Sequence, residues 1–394
     1  MMTSIKPRTA IACPQPAQEN GAMQYGMFSM PLRPPGGDVT KEYHQDVETF
    51  VLGDKLGYSE GWMGEHYTIP WEPVPSTDLF AASVFAQTEQ IRVGTGVVLL
   101  PMHDPRLVAL RIAYLDHLSK GRLNFGIGAG GAPTDFHFWD IDYKEGEHRA
   151  RMRESIDVIK RLWTEDDPFE HNGKFWQFKV PEPMMQVPLY HHVRPYQDPH
   201  PPIAVAGLHK ASESLVTAGE QGWIPMSINY LPAENLITHW GAVCDGAKKG
   251  GRPTPSRRDW RIAREIFVAK TDAEARDKVL NGPMAAAYSN YMFNVLQSLG
   301  VVDLYKSDPD MPDEALTAEY VCDNIWVVGS PDTVAEKLET LYNDVGGFGT
   351  VLQIQYTYEP FQEWKDNMEL LAKQVMPQLK HLVPDDADAA AAAQ

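Results

Sequence analysis

Short apolar runs alternate with longer segments of helical periodicity from Gln24 onward, and no other feature of the sequence constrains the fold as strongly. Repeated strand-helix units of this kind predict a parallel sheet covered by helices. Eight units are counted when the short run NIWVV is assigned to an insertion, and eight units close an α/β (β/α)8 TIM barrel. The predicted strands are QYGMF, EGWMG, IRVGTGVVLL, RLNFGIGAG, PIAVAG, GWIPMSI, WRIAREIFVA and TVLQIQ.

The length of 394 residues allows either two ordinary domains or one large barrel with insertions. We predict a single barrel domain over residues 23–380, a disordered extension over residues 1–22 and a disordered tail over residues 381–394. Insertions interrupt the strand-helix rhythm at about residues 181–202 and 281–323. The first insertion is too long and too rich in Pro, His and Tyr for a tight connection, which suggests a lid or rim segment.

The charge balance is strongly acidic, since 35 Lys and Arg side chains face 53 Asp and Glu side chains for a formal net charge of -18. A phosphate backbone or an anionic membrane surface is therefore not expected as a partner. No apolar run has the length of a spanning helix. Three cysteines, Cys13, Cys244 and Cys322, lie far apart without CxxC spacing, which fits a reducing cytoplasm and predicts no disulfide framework.

Glu65 and His66 directly follow the second predicted strand, within SEGWMGEHYTIPWE. Functional groups of a TIM barrel lie at the carboxyl ends of its strands, and imidazole titrates near neutrality. His66 is therefore a candidate acid, base or hydrogen-bond donor, the alternative being a histidine packed beneath the loop. For Glu65 a structural carboxylate is favoured over a metal ligand. His66 and His103 lack the spacing of a dedicated metal site, so we expect none.

Two glycine-containing stretches also follow strands. GIGAGGAPTD, which includes Gly128 and Ala129, lets the backbone approach a ligand closely, but it does not lead directly into a helix as a dinucleotide motif does. GLHKASES, from Gly207 to Ser214, follows the fifth strand and precedes a helix. Its free N–H groups and the hydroxyls of Ser212 and Ser214 suit a phosphate, although a plain capped helix explains the same residues equally well.

Aromatic side chains gather near the predicted rim. They suit stacking on a planar ring or lining an apolar pocket, whereas Trp62 is predicted to belong to the core. Trp71 and Glu72 are expected to shape the substrate side of the site. The candidate substrate-binding residues are Phe28, Trp71, Met102, His103 and Phe138.

The segment VGTGVVLLPMHDPRLVALRIAYLDHLSKGRLNFGIGAGG resembles the bacterial luciferase-like family of flavin-dependent monooxygenases. The strand, the turn, the helix, SKGR and FGIG occur there in family order, and the resemblance extends from about Gln24 to about Leu379. GEHYTIPWE, EIFVAKTDAEAR and IWVVGSPDTVAEKLE resemble in particular the group that includes the diketocamphane monooxygenases and limonene monooxygenase.

This resemblance implies that FMN binds at the carboxyl ends of the strands and arrives reduced from a separate NAD(P)H:flavin reductase. It further implies that O2 adds to the flavin, and that the flavin peroxide oxygenates a small hydrophobic cyclic substrate: a ketone, a terpene or an aromatic compound. Baeyer-Villiger insertion, epoxidation and hydroxylation all remain open. A homodimer is implied by the family alone.

The family's functional residues match particular positions of this sequence. Its catalytic histidine matches His66, and its non-proline cis peptide beneath the flavin ring matches Gly96-Val97. Its phosphate loop matches Gly207 and Leu208, with Ser212 as the nearest hydroxyl.

One position departs from the pattern, because luciferase has an arginine for the phosphate where this chain has Ala129. The phosphate would then be met by backbone N–H groups, Lys210 or Arg264. Two alternatives to the monooxygenase are kept open: a deazaflavin-dependent dehydrogenase or reductase of the same fold, and a non-catalytic flavin-binding protein.

Overall fold

Eight parallel strands close into a barrel in the computed structural model of the chain, which describes residues 21–183, 189–308 and 310–384. Most of the predicted extension at residues 1–22 and of the predicted tail at residues 381–394 lies outside the described residues. The strands of the described residues are β1 (Gln24–Leu32), β2 (Glu60–Met63), β3 (Arg92–Thr95), β4 (Val98–Leu99), β5 (Leu123–Gly128), β6 (Glu170–Asn172), β7 (Gln177–Lys179), β8 (Ile203–Gly207), β9 (Ile224–Ser227), β10 (Arg261–Arg264), β11 (Ile266–Val268), β12 (Val327–Gly329) and β13 (Thr350–Tyr356).

The barrel follows the order of the chain, β1-β2-β3-β5-β8-β9-β10-β13, and closes where β13 pairs with β1. Each of these strands lies within or overlaps one of the predicted runs, so the predicted (β/α)8 barrel is confirmed. The short β4 continues the third predicted strand beyond the cis Gly96-Val97 peptide bond and pairs with β5. Strands β6 and β7 form a separate antiparallel hairpin.

Helices pack around the barrel, and some of them begin at a side chain that caps the first turn. Asp104 accepts a hydrogen bond from the N–H of Arg106 at the start of α3, and Ser330 accepts one from Thr333 at the start of α12. Within the described ranges, no helix is both long enough and apolar enough to cross a membrane. The helices of the described residues are α1 (Val39–Leu56), α2 (Thr77–Phe85), α3 (Pro105–Ser119), α4 (Pro133–Phe138), α5 (Glu147–Thr164), α6 (Glu213–Gln221), α7 (Ala233–Lys249), α8 (Asp272–Leu280), α9 (Pro283–Ala287), α10 (Phe293–Ser298), α11 (Ala318–Asn324), α12 (Pro331–Asp344) and α13 (Gln362–Leu370).

Trp62 belongs to the core, as predicted, and is fully buried. Its indole lies against β3, where a Cβ atom at Gly94 would overlap the ring. The indole N–H donates to Glu60, whose carboxylate also pairs with Arg261 of β10 at 3.1 Å. These contacts link neighbouring and distant strands across the barrel interior.

The insertion at residues 281–323 covers the carboxyl end of the barrel, which we call the mouth. It contains α9, a π-helical turn (Tyr288–Met292), α10 and α11. The seventh predicted strand splits, since β10 stays in the barrel while β11 leaves it and pairs with β12. NIWVV therefore lies outside the barrel, as predicted.

The proline-rich insertion at residues 181–202 was expected to be a lid or rim segment, but Gln197 and the residues after it lie at the other end of the barrel. Gln197 is buried at the amino ends of β3 and β5, where it bonds Asp116, Arg92 and the carbonyl of Leu123. The carbonyl of Pro202 accepts from the N–H of Phe125. These residues follow α5 and lead into β8, so they pass beneath the barrel rather than over its mouth. Residues 184–188 of this insertion lie outside the described residues.

Candidate active site

His66 lies at the mouth, directly after β2, between two carboxylates from different elements. Its Nδ1 is 3.0 Å from Asp135 Oδ2, and its Nε2 is 3.6 Å from Glu72 Oε2. Asp135 belongs to α4 and is fully buried, and the backbone N–H groups of Tyr67 and Thr68 donate to its other oxygen at 3.2 and 2.8 Å. These backbone hydrogen bonds fix the position of the Asp135 carboxylate, which in turn orients the His66 imidazole.

The neighbouring carboxylates determine the charge of His66. Burial opposes the charged ring, but Glu72, Asp135 and Glu65 outweigh it and raise the pKa of His66 above its ordinary value. Burial would raise the pKa of Asp135, yet the hydrogen bonds from His66 and Thr68 lower it. The favoured state is a charged pair, in which Nδ1–H donates to Asp135 and Nε2–H points towards Glu72.

Glu65 has the structural role that was favoured for it. It is buried and accepts a hydrogen bond from the N–H of Leu99 at 3.3 Å and another from the hydroxyl of Tyr67. His103 Nε2 lies 2.7 Å from the same carboxylate and 2.8 Å from the Tyr67 hydroxyl. These bonds join the loop after β2 to β4 and to the loop before α3. Among the residues that the structure describes, no group of three or more His, Cys, Asp or Glu side chains is arranged to hold a metal ion.

Glu72 connects the loop after β2 to the insertion at the mouth. The Tyr291 hydroxyl donates to Glu72 Oε1 at 2.5 Å, and the Trp71 and Tyr291 rings stack with centroids 5.5 Å apart. Tyr291 belongs to the π-helical turn, 219 residues beyond Glu72 in the chain. Sequence reasoning missed Tyr291 because an irregular helical stretch carries no motif.

Small residues form one wall of the mouth beside the cis peptide bond. The Gly96-Val97 bond is cis, as the resemblance implied. A Cβ at Gly128 would lie 2.5 Å from Val97 Cγ2, and a Cβ at Gly96 would lie 3.0 Å from the Phe28 ring. Glycine at both positions allows this close packing against Val97 and Phe28, and Ala129 follows Gly128 in the chain. The predicted flavin-contacting residues of β3 to β5 and Phe28 are therefore brought together.

The predicted phosphate loop lies where β8 ends and α6 begins. Leu208 is exposed, and Ser212 occupies the N-cap position of α6 without capping that helix through its side chain. Its hydroxyl instead lies 3.0 Å from the hydroxyl of Ser214. The helix start therefore keeps N–H groups available, which fits an anionic phosphate.

The two basic residues considered for the phosphate differ in their surroundings. Arg264 is buried, and its guanidinium donates to the backbone carbonyls of Asn229 and Leu231 at 2.8 and 2.6 Å. These hydrogen bonds hold the Arg264 guanidinium against the loop after β9. Lys210 is exposed in the loop before α6. Of the two, only Lys210 has a side chain that is free to turn towards the loop.

The remaining predicted substrate residues are not all on one surface. Met102 is buried in a small apolar cluster with Leu99, Phe136 and Ile141. The Phe138 side chain is 68 % exposed on α4. Phe28 and Trp71 are partly buried at the mouth. Phe28 lies beside Gly96, and Trp71 stacks on Tyr291.

A second buried acid lies at the mouth, and no motif in the sequence singles it out. Glu265 directly follows β10, and Asn229 and Tyr356 donate to its Oε1. Burial raises the pKa of Glu265 to about 7. Its other oxygen is buried without a hydrogen-bond partner among the described residues.

The fold is thus a closed TIM barrel with a His66–Asp135 pair at its mouth. A family model described as Luciferase-like monooxygenase matches residues 23–347. The chain therefore belongs to the luciferase-like monooxygenase family and is an enzyme of the monooxygenase class.

Named relatives agree with this assignment. The chain is 32 % identical over 360 residues to 4-hydroxyprotoasukamycin monooxygenase of Streptomyces nodosus subsp. asukaensis, covering 90 % of this chain and 92 % of the relative. It is 31 % identical over 366 residues to limonene 1,2-monooxygenase of Rhodococcus erythropolis, covering 91 % and 87 %. In structure it is similar to the oxygenating constituent of 3,6-diketocamphane monooxygenase from Pseudomonas putida, a type II Baeyer-Villiger monooxygenase solved in complex with FMN. That likeness has a TM-score of 0.85 at 30 % identity and covers 92 % of this chain and all of the other.

Proposed function

We propose that this protein is the oxygenase component of a two-component FMN-dependent monooxygenase. It takes reduced FMN from a separate NAD(P)H:flavin reductase and uses O2 to oxygenate a small hydrophobic cyclic substrate. The observation that carries the proposal is the charged His66–Asp135 pair at the mouth, next to the wall of small residues around the cis peptide bond. We also propose a cytoplasmic location, because the three cysteines of the sequence lie far apart without CxxC spacing.

The residues present fit FMN. The strand ends that carry Gly96, Val97, Gly128 and Ala129 would receive the ring, because small residues there let the backbone approach a ligand closely. The start of α6, with Gly207, Leu208 and Ser212, would receive the phosphate through N–H groups and a hydroxyl. When bound in its reduced form, FMN supplies the activation of O2.

The chain's own residues orient the reactants and control one proton. His66 Nε2–H is the donor at the mouth, and Asp135 keeps the ring charged and fixed in orientation. Phe28 and Trp71 offer apolar surface to the substrate, and the insertion at residues 281–323 limits the entry of water. Met102, His103 and Phe138 complete the proposed substrate-binding set, Met102 and His103 from beneath and Phe138 from the rim.

The experiment compares binding of FMN with binding of a deazaflavin and then screens substrates with a generic flavin reductase. We expect FMN to bind more tightly, and we expect oxygenated product from at least one cyclic ketone, terpene or phenol. Tighter deazaflavin binding with O2-independent hydride transfer would instead establish the dehydrogenase alternative. FMN binding without oxygenation of any substrate would favour the non-catalytic alternative.

We further propose that the protein forms a homodimer through α2 and α3. Four large apolar side chains are exposed on these two helices beside the Asp78–Arg111 ion pair. On α3 the exposed positions recur at helical spacing and so share one face. Exposed apolar clusters of this kind mark protein–protein contacts. The four side chains are Leu79, Leu107, Tyr114 and Leu118.

A further inference from the structure

A gap separates the His66 ring from Glu72. Nε2 and Oε2 are 3.6 Å apart, which is too long for a direct hydrogen bond. Glu72 Oε2 is buried, since only 5 % of the side chain is exposed, and it has no hydrogen-bond partner among the described residues. A donor and a buried acceptor therefore face each other without bonding.

The two side chains are held apart by their other bonds. Glu72 Oε1 is tied to the Tyr291 hydroxyl, and the Glu72 backbone N–H donates to the carbonyl of Ile69 at 3.0 Å. The stacking of Trp71 on Tyr291 braces the same loop. On the other side, Asp135 holds Nδ1 of His66. These bonds restrain the side chains on both sides of the gap.

The chemistry of the gap discriminates between ligands. A buried carboxylate oxygen left without a donor is unfavourable, because nothing replaces the hydrogen bonds that it made to water. The oxygen of a ketone or an ether accepts from Nε2–H but offers nothing to Oε2. A hydroxyl group does both, because its oxygen accepts from His66 while its proton is donated to Glu72.

We propose that His66 and Glu72 together bind a hydroxyl group of the substrate, so that the preferred substrates are hydroxylated cyclic compounds rather than simple ketones or alkenes. The inference rests on the proposed function for placing a substrate at this mouth. Tyr291 is a positioning residue in this arrangement, because it acts on the substrate only through Glu72.

The test compares cyclohexanol, cyclohexanone and methoxycyclohexane, which differ in hydrogen-bonding capacity and little in ring size. Each is titrated into the FMN-loaded protein while the Cε1–H NMR resonance of His66, assigned with His66→Gln, is followed. We expect cyclohexanol to bind about tenfold more tightly than either other compound, since hydrogen bonds to charged groups are stronger than those between neutral groups. Equal or weaker binding of the alcohol, or no shift of the resonance with any probe, would overturn the inference.

Variants locate the effect. Glu72→Gln keeps the shape but replaces the acceptor with an amide that can donate, so the alcohol should lose its advantage and cyclohexanone should gain affinity. Tyr291→Phe should reduce the advantage of the alcohol, because Glu72 is no longer anchored. Glu336→Gln, an exposed substitution on α12, is the matched control and should leave all three affinities unchanged. An unchanged preference for the alcohol in Glu72→Gln would also refute the inference.

Two different results distinguish a failure of this inference from a failure of the proposed function. Oxygenation of cyclic ketones without any preference for the alcohol would leave the monooxygenase intact and remove the hydroxyl site. Absence of FMN binding and of oxygenation would remove the proposed function, while the probe affinities of the flavin-free protein would still report on the His66–Glu72 pair.

Discussion

His66 takes its chemical character from two carboxylates, one on its own loop and one far along the chain. Asp135 lies 69 residues further along, at the start of α4, and Glu72 lies on the other side of the ring. A lone histidine after a strand is compatible with several roles. The two carboxylates favour one of them, a charged hydrogen-bond donor at the mouth of the barrel.

Asp135→Asn should lower the pKa of His66, because the amide keeps the shape and removes the charge. The imidazolium of the native protein persists above its ordinary pKa and is lost as pH rises through the raised value. In the variant this loss should occur at lower pH, and turnover should fall on the order of 10²-fold. An NMR titration of His66 measures the shift. Asp245→Asn, exposed on α7, is the control, and equal titration curves in both variants would show that Asp135 does not set the charge.

Glu265→Gln should remove a loss of folding stability that occurs as the pH rises. Because burial raises the pKa of Glu265 to about 7, the folded state holds a proton that the unfolded state has lost, and stability falls as pH rises towards that value. The variant should be more stable than the native protein at about pH 8, by on the order of 2 kcal/mol. Denaturant unfolding at acidic and alkaline pH measures this. An undiminished pH dependence in the variant would contradict the assignment, although Asp46, with its pKa raised to about 6, should retain a smaller slope.

The two insertions serve opposite ends of the barrel. Residues 281–323 cover the mouth and bring Tyr291 to Glu72, whereas Gln197 of the other insertion bonds Asp116 and Arg92 beneath the strands. Composition alone suggested a lid for the proline-rich insertion. Its position was decided instead by buried polar groups at the amino ends of β3 and β5, which required hydrogen-bond partners.

Gln197→Ala should therefore destabilise the fold without disturbing the mouth. The substitution removes the side-chain amide, which donates to the buried carboxylate of Asp116 and to the carbonyl of Leu123, each at 2.8 Å. The backbone N–H at position 197 still donates to Asp116 at 2.8 Å, so the carboxylate keeps one of these two donors. The expected loss in the free energy of unfolding is about 1–3 kcal/mol.

The measurement pairs denaturant unfolding with FMN titration. The dissociation constant for FMN should stay within about twofold of the native value, because the mouth lies at the other end of the strands. Gln177→Ala in the exposed β6–β7 hairpin is the control and should change neither quantity. A large loss of FMN affinity in Gln197→Ala at unchanged stability would place this insertion at the mouth after all.

The closed barrel explains which features were predictable from the sequence. Short, largely apolar runs alternate with segments of helical period, so the order of elements could be predicted without the structure. His66 could be singled out because the strand before it is short and distinct. The contacts that hold Glu72 beside His66 could not be found in the same way. The bond from Tyr291 to Glu72 spans 219 residues and depends on how an irregular insertion folds back over the mouth.

If the protein is a homodimer as proposed, dimer formation should depend on the apolar face of α2 and α3. Replacing Leu107 and Leu118 with Glu would put two charges into the contact, and the variant should be monomeric in analytical ultracentrifugation. The barrel should stay folded, because both side chains are more than half exposed in the single chain. A native protein that is itself monomeric at high concentration would contradict the proposal.

The most direct test of the proposed oxygenase follows the oxygen atom. The protein, FMN, a generic flavin reductase and the cyclic substrate found in the screen are supplied with isotopically labelled O2, and the product is analysed by mass spectrometry. We predict that the native protein transfers one labelled oxygen atom to the product, and that His66→Ala, while still binding FMN, forms far less labelled product. Labelled hydrogen peroxide with no label in any product, or equal labelling by His66→Ala, would contradict the proposed function.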